Sequence, residues 1–140
     1  MKLDSLQMQF CDIQGRLFQL SAKEGYDSEA FISSFMNSPT AAHFDLPYSR
    51  AQWMGEEYLL EEIVDDAGGL PRGGELFDAE TLYWVGYVYR YWHLLTDESS
   101  AAIYAIANAQ TMRRIYPGFH TLDVEESIAR LKEIAKARRK

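Results

Sequence analysis

An all-α fold is predicted: a single compact domain of six or seven helices around a central aromatic helix at about residues 78–96. Three observations carry this expectation. Apolar residues recur at spacings of three and four in each long segment, and no stretch alternates apolar and polar residues convincingly enough for a strand. The densest punctuation, Gly68-Gly69-Leu70-Pro71-Arg72-Gly73-Gly74, separates two such segments. The chain of 140 residues has the length of one domain, enough to bury a core without disulfide or metal staples.

Leu6, Phe10, Ile13, Leu17 and Leu20 form the apolar stripe of a first helix, with Gln7, Gln9, Gln14 and Gln19 off it. Gly15 lies inside this helix at a cost of about 1 kcal/mol relative to alanine, which points to a close helix crossing. Asp27 is placed to cap a second helix, with Glu29 in its first turn and Phe31, Ile32, Phe35 and Met36 on its buried side. Asn37-Ser38-Pro39 ends it. Residues 40–49 read as a short helical turn and a loop, with Pro47 keeping Leu46 extended.

A third long helix is expected over residues 50–67, with Trp53, Leu60, Val64 and Ala67 as its apolar side, flanked by Leu59 and Ile63. Its other side gathers Glu56, Glu57, Glu61, Glu62, Asp65 and Asp66 without one basic residue. The pairs Glu57–Glu61, Glu61–Asp65 and Glu62–Asp66 repel at i,i+4. Something basic should compensate. The choices are solvent or the chain's own tail beyond Arg130, or a cationic partner docked on Glu57, Glu61 and Asp65. The following glycine-rich segment, residues 68–74, is expected to be flexible. It lacks the Lys-Ser/Thr of a phosphate loop.

Asp78 is expected to cap the aromatic helix, on which Trp84, Val88, Tyr91 and Leu95 make one stripe and Tyr83, Tyr87, Arg90 and Leu94 the adjoining one. Ser99 or Ser100 caps a short helix carrying Ile103, Tyr104 and Ile106, and Asn108 caps another over residues 109–115, before Tyr116-Pro117-Gly118 breaks the path. These two short helices allow a helix-turn-helix reading in which Arg113 and Arg114 touch phosphates. Asp123 with Glu126 forms a capping box ahead of Val124, Ile128, Leu131 and Ile134, and the basic end of this last helix frays.

The single cysteine, Cys11, excludes an internal disulfide and is expected to be a buried thiol. No basic-then-apolar leader follows Met1 and no apolar run reaches the ~18 residues of a membrane span, so a cytoplasmic location is expected. His93, His120 and Asp123 lack a metal-ligand spacing, and neither a metal nor another cofactor is expected. Arg90 must be paired, stacked or exposed at a cleft, because burial alone would cost several kcal/mol. It either pins the core or belongs to a pocket with Tyr87, Tyr91, Tyr104, Tyr116 and His120 that reads an anion. No catalytic constellation stands out, which weighs against an enzyme.

Residues 130–140 carry six basic side chains against Glu133, a balance of +5, so the remaining residues hold −12 of the net −7. An acidic body is poorly suited to nucleic acid and better suited to a basic protein. Self-association through exposed aromatics is the other partner this composition allows.

The order Trp84-x-Gly86-Tyr87-x-Tyr89-Arg90-Tyr91, then Ser99-Ser100 with Ile103-Tyr104, then Tyr116-x-x-x-His120-Thr121-Leu122-Asp123, resembles a family of small bacterial cytoplasmic proteins without an assigned activity, found in toxin–antitoxin-like operons. The resemblance covers about residues 80–128; the first half shares only a helix followed by Ser34-Phe35-Met36-Asn37-Ser38. It implies that Arg90, Tyr91, His120 and Asp123 are the motif's polar positions, and that the protein is an antitoxin-like or regulatory partner whose acidic helix meets a basic toxin.

Overall fold

The computed structural model describes residues 3–47 and 54–138, and over these the chain is all-helical. Among the described residues there are eight helices: α1 (Ser5–Lys23), α2 (Ser28–Met36), α3 (Pro39–Phe44), α4 (Glu56–Asp66), α5 (Ala79–Thr96), α6 (Ser100–Ile106), α7 (Ala109–Phe119) and α8 (Val124–Arg138). The count exceeds the predicted six or seven because residues 39–44 complete a helix. Ser38 accepts a hydrogen bond from the Ala41 N–H and Pro39 occupies the first turn, where its missing N–H costs nothing.

Helix α1 begins with a reciprocal cap: Asp4 accepts from the Gln7 N–H at 2.8 Å and Gln7 accepts from the Asp4 N–H at 3.0 Å. It crosses α5 with the largest helix–helix contact in the fold. Two glycines make that crossing possible. A Cβ on Gly15 would lie 2.7 Å from the Tyr83 ring, and one on Gly86 would lie 2.6 Å from the Gln14 carbonyl oxygen. The close crossing that Gly15 foretells is therefore present, and Gly86 is its partner.

Two sequence expectations about the face of α1 are corrected. Gln14, placed off the apolar stripe of α1, is buried, whereas Leu6 on that stripe is exposed. The buried face of α5 runs through Leu82, Val85, Val88, Tyr89 and Trp92, while Tyr83, Trp84, Tyr87, Leu94 and Leu95 are half-buried. Large aromatics tolerate either position, so their spacing does not choose the inner face. The core closes with Phe18, Phe31 and Phe35, whose rings meet at 5.5–6.2 Å.

Boundaries differ in two further places. Met54 and Gly55 precede α4 in non-helical conformation, so the helix starts at Glu56, later than predicted; the part of the prediction that rests on Trp53 lies outside the described residues. Helix α7 runs through Pro117 to Phe119 instead of breaking. A proline this close to the helix end removes one bond of the last turn only, and the His120 N–H still reaches the Tyr116 carbonyl at 3.0 Å. At the ends of α5 and α8 the caps are also simpler than expected. Asp78 makes no side-chain capping bond, and Asp123 accepts from the Glu125 N–H while Glu126 turns to Arg130.

The segment at 68–74, expected to be flexible, is tied to the α1–α2 junction. Pro71 accepts from the Asp27 N–H at 2.9 Å, Gly25 accepts from the Gly73 N–H at 3.0 Å, and Arg72 stacks over the Tyr26 ring at 4.5 Å. Just beyond it, the Asp27 carboxylate accepts from the Ala30 and Glu75 N–H groups, capping α2 and fixing the loop with one side chain.

Candidate functional site

Arg90 has been drawn into the core. It is 1% exposed and donates to Asp45 Oδ1 at 2.7 Å and to Gln14 Oε1 at 2.8 Å, with its guanidinium 4.4 Å from the centre of the Phe44 ring. Burial lowers the guanidinium pKa and the Asp45 charge opposes that shift. Asp45, at the end of α3, also accepts from the N–H and the hydroxyl of Ser100 at the start of α6. Helices α1, α3, α5 and α6 thus meet at one ion pair. Of the two readings of Arg90 that the sequence allows, the one that pins the core is present and the anion-reading pocket around it is corrected: this guanidinium is occupied by the protein's own acceptors.

His93 completes the cluster. Its Nδ1 lies 2.6 Å from the Glu98 carbonyl and its Nε2 lies 2.9 Å from the Asp45 carbonyl. Among the described residues no buried side-chain nitrogen or oxygen lacks a partner.

The other pocket candidates divide. Tyr91 is buried, next to Tyr87, and Tyr104 packs edge-on to Tyr89 at 6.5 Å. Tyr87, Tyr116 and His120 do come together. With Tyr83, Trp84, Glu80 and Gln19 they line a groove of about 380 Å³ between α5, α7 and α1. Its existence depends on α7 continuing through Pro117, which puts Tyr116 and His120 one turn apart, stacked at 4.5 Å. Burial raises the Tyr83 and Tyr87 phenol pKa values, and the Tyr83 hydroxyl donates to Asp12 at 2.5 Å.

Glu57, Glu61 and Asp65 occupy one wall of a second groove, of about 400 Å³, between α4 and the end of α1. Leu20, Leu60, Val64 and Tyr26 form its apolar surface, and Glu24 adds a fourth carboxylate from the α1 side. Helix α4 is held beside α1 by Arg16, which pairs with Asp12 at 3.0 Å and Glu56 at 3.1 Å. That ion pair uses the acid nearest the α4 N-terminus and leaves the later ones alone: no described basic side chain pairs with Glu57, Glu61 or Asp65. Two basic residues of α8 are engaged elsewhere, Arg130 with Glu126 at 2.8 Å and Lys132 with Glu98 at 2.6 Å. Sequence reasoning found the α4 acids but missed Glu24, since its membership depends on how α1 and α4 cross.

The helix-turn-helix reading loses one of its two arginines. Arg113 pairs with Glu75 and stacks over Phe77 at 4.9 Å, so its charge is already answered within the protein. Burial pushes the Cys11 thiol up to about 12, leaving it protonated near neutrality. Among the described residues no group of His, Cys, Asp or Glu is arranged to hold a metal ion, and no helix is long and apolar enough to cross a membrane. Comparison of the chain with protein-family models, curated proteins and solved structures finds no match.

Proposed function

We propose that this protein is a non-enzymatic interaction module whose α1–α4 groove holds a cationic segment of a partner protein. One observation carries the reading: Glu24, Glu57, Glu61 and Asp65 surround a groove with an apolar surface, and no basic side chain of the described fold neutralises Glu57, Glu61 or Asp65. A lysine- or arginine-bearing helix or strand with an apolar side matches both features. Its cations would relieve the i,i+4 repulsion along α4 while its apolar residues cover Leu20, Leu60 and Val64. The resemblance of residues 80–128 supports a toxin-like protein as that partner and an antitoxin-like or regulatory role for this one.

The test is capture of partners from a native host extract with the wild-type chain and with a Glu57→Lys/Glu61→Lys/Asp65→Lys variant. A stoichiometric basic partner that is retained by the wild type and lost by the variant is the expected result. Equal retention by both removes the groove from the interface. Association at the groove should also weaken with added salt, because exposed charges are screened over ~10 Å at 0.1 M.

A further inference from the structure

We propose that the groove between α5 and α7 is a separate binding site for an N-methylated ammonium group, a quaternary trimethylammonium head in particular. The argument starts from its walls. Tyr83, Trp84 and Tyr87 come from successive turns of α5, and Tyr116 comes from α7. The Trp84 and Tyr116 rings stand 5.7 Å apart at 71°, making a corner rather than a flat stack, and Tyr83 and Tyr87 sit 5.9 Å apart with a tilt of 36°. One face of Tyr116 is covered by the stacked His120 ring, and the corner that Tyr116 makes with Trp84, with Tyr83 and Tyr87 beside it, suits a compact cation whose methyl groups also need apolar contact.

Charge selects in the same sense. Glu80 is an exposed carboxylate at the groove, no described basic side chain pairs with it, and no lysine or arginine is among the lining residues. No lysine or arginine of the lining would meet an anion here. His120 directs Nδ1 at the Tyr116 carbonyl at 2.8 Å, so Nδ1 is the donor in that bond. Asp12, behind Tyr83, accepts from the Tyr83 hydroxyl and shares Arg16 with Glu56, so its charge is partly answered. The volume of about 380 Å³ lies within the roughly 300–1,000 Å³ of small-ligand sites. The arrangement therefore favours a cation, the opposite of the anion suggested by Arg90 in the sequence.

The chemistry has two sources, a soluble ammonium compound and a phosphatidylcholine headgroup, and the probes separate them. Choline, tetramethylammonium and the neutral choline isostere 3,3-dimethylbutan-1-ol are titrated into the full chain, with binding followed by NMR shifts of the Trp84 indole. Vesicles of phosphatidylcholine are tested beside them. Saturable binding of choline, with the neutral isostere at least ~10-fold weaker, is expected, because the isostere keeps the shape and loses the cation–π attraction. Glu80→Gln should weaken choline binding about 3–10-fold, and Tyr116→Leu should abolish it. Glu80 is exposed, so Glu80→Gln tests the site without endangering the fold. A response to choline alone assigns a soluble ligand, and a response to choline and vesicles assigns a headgroup. Equal binding of the neutral isostere, no saturation by choline at millimolar concentration, or unchanged affinity in both variants would overturn the proposal.

Discussion

Arg90 shows how much of this molecule's stability passes through one buried charge. Its guanidinium is desolvated and held by Asp45 and Gln14, so removal of either charged partner leaves the other ion uncompensated. Asp45→Ala is expected to lower unfolding free energy by about 3–5 kcal/mol in urea titration. The same substitution also frees the Ser100 N–H and hydroxyl at the start of α6. A loss below about 1 kcal/mol would mean that water replaces Asp45 without difficulty. Gln14 matters for a related reason: its amide donates to the Gly86 carbonyl at 2.9 Å while its oxygen accepts from Arg90. That double bond pattern explains a buried glutamine in a position the periodicity assigned to solvent.

At the scale of helices, the α1–α5 crossing and the attachment of α8 are the two places where small changes have readable effects. Gly86→Ala puts a methyl 2.6 Å from backbone, which cannot rotate away, so a loss of about 1–3 kcal/mol is expected. Gly118→Ala is the control, since a Cβ there meets nothing within 4 Å; near the end of α7 it should be neutral or stabilising by up to about 1 kcal/mol. Chemical denaturation of the two variants together separates packing from propensity.

Glu98 joins three helices. It accepts from Trp92 of α5 at 2.9 Å and from Lys132 of α8 at 2.6 Å, just before α6. Burial pushes its pKa up, but the hydrogen bonds from Lys132, Trp92 and Thr96 outweigh burial and the net shift is downward. A carboxyl with a lowered folded pKa stabilises fully above its unfolded value, about 4.3, and loses that contribution as pH falls through the folded value. Glu98→Gln should therefore be less stable than the wild type at neutral pH, with the difference shrinking below about pH 4. A gap between the two that stays constant from pH 7 to about pH 3 would assign the effect to packing instead.

Over the whole molecule, charge is arranged against local stability. The acids of α4 repel along the helix, and Asp65 and Asp66 oppose its dipole at the C-terminal end. Glu61→Lys should relieve two of these repulsions and raise stability by a few tenths of a kcal/mol, measured by thermal unfolding, while weakening a cationic partner. A variant that gains stability and loses binding would show that the acidic face is kept for recognition. Loss of both would make it part of the fold.

The helical class, the caps at Asp27, Ser99 and Asn108, the Gly15 crossing and the acidic side of α4 were legible in the sequence, because periodicity and capping are local. Three of the candidate pocket residues, Tyr87, Tyr116 and His120, also reached one groove, and Glu57, Glu61 and Asp65 reached another. What only the tertiary structure decided is which side of an aromatic helix faces inward, and where an arginine surrounded by tyrosines finds its carboxylate. Asp45 lies 45 residues from Arg90, and Glu24 lies 33 residues from Glu57. Such pairings depend on the crossing of packed helices, and no spacing along the chain encodes them.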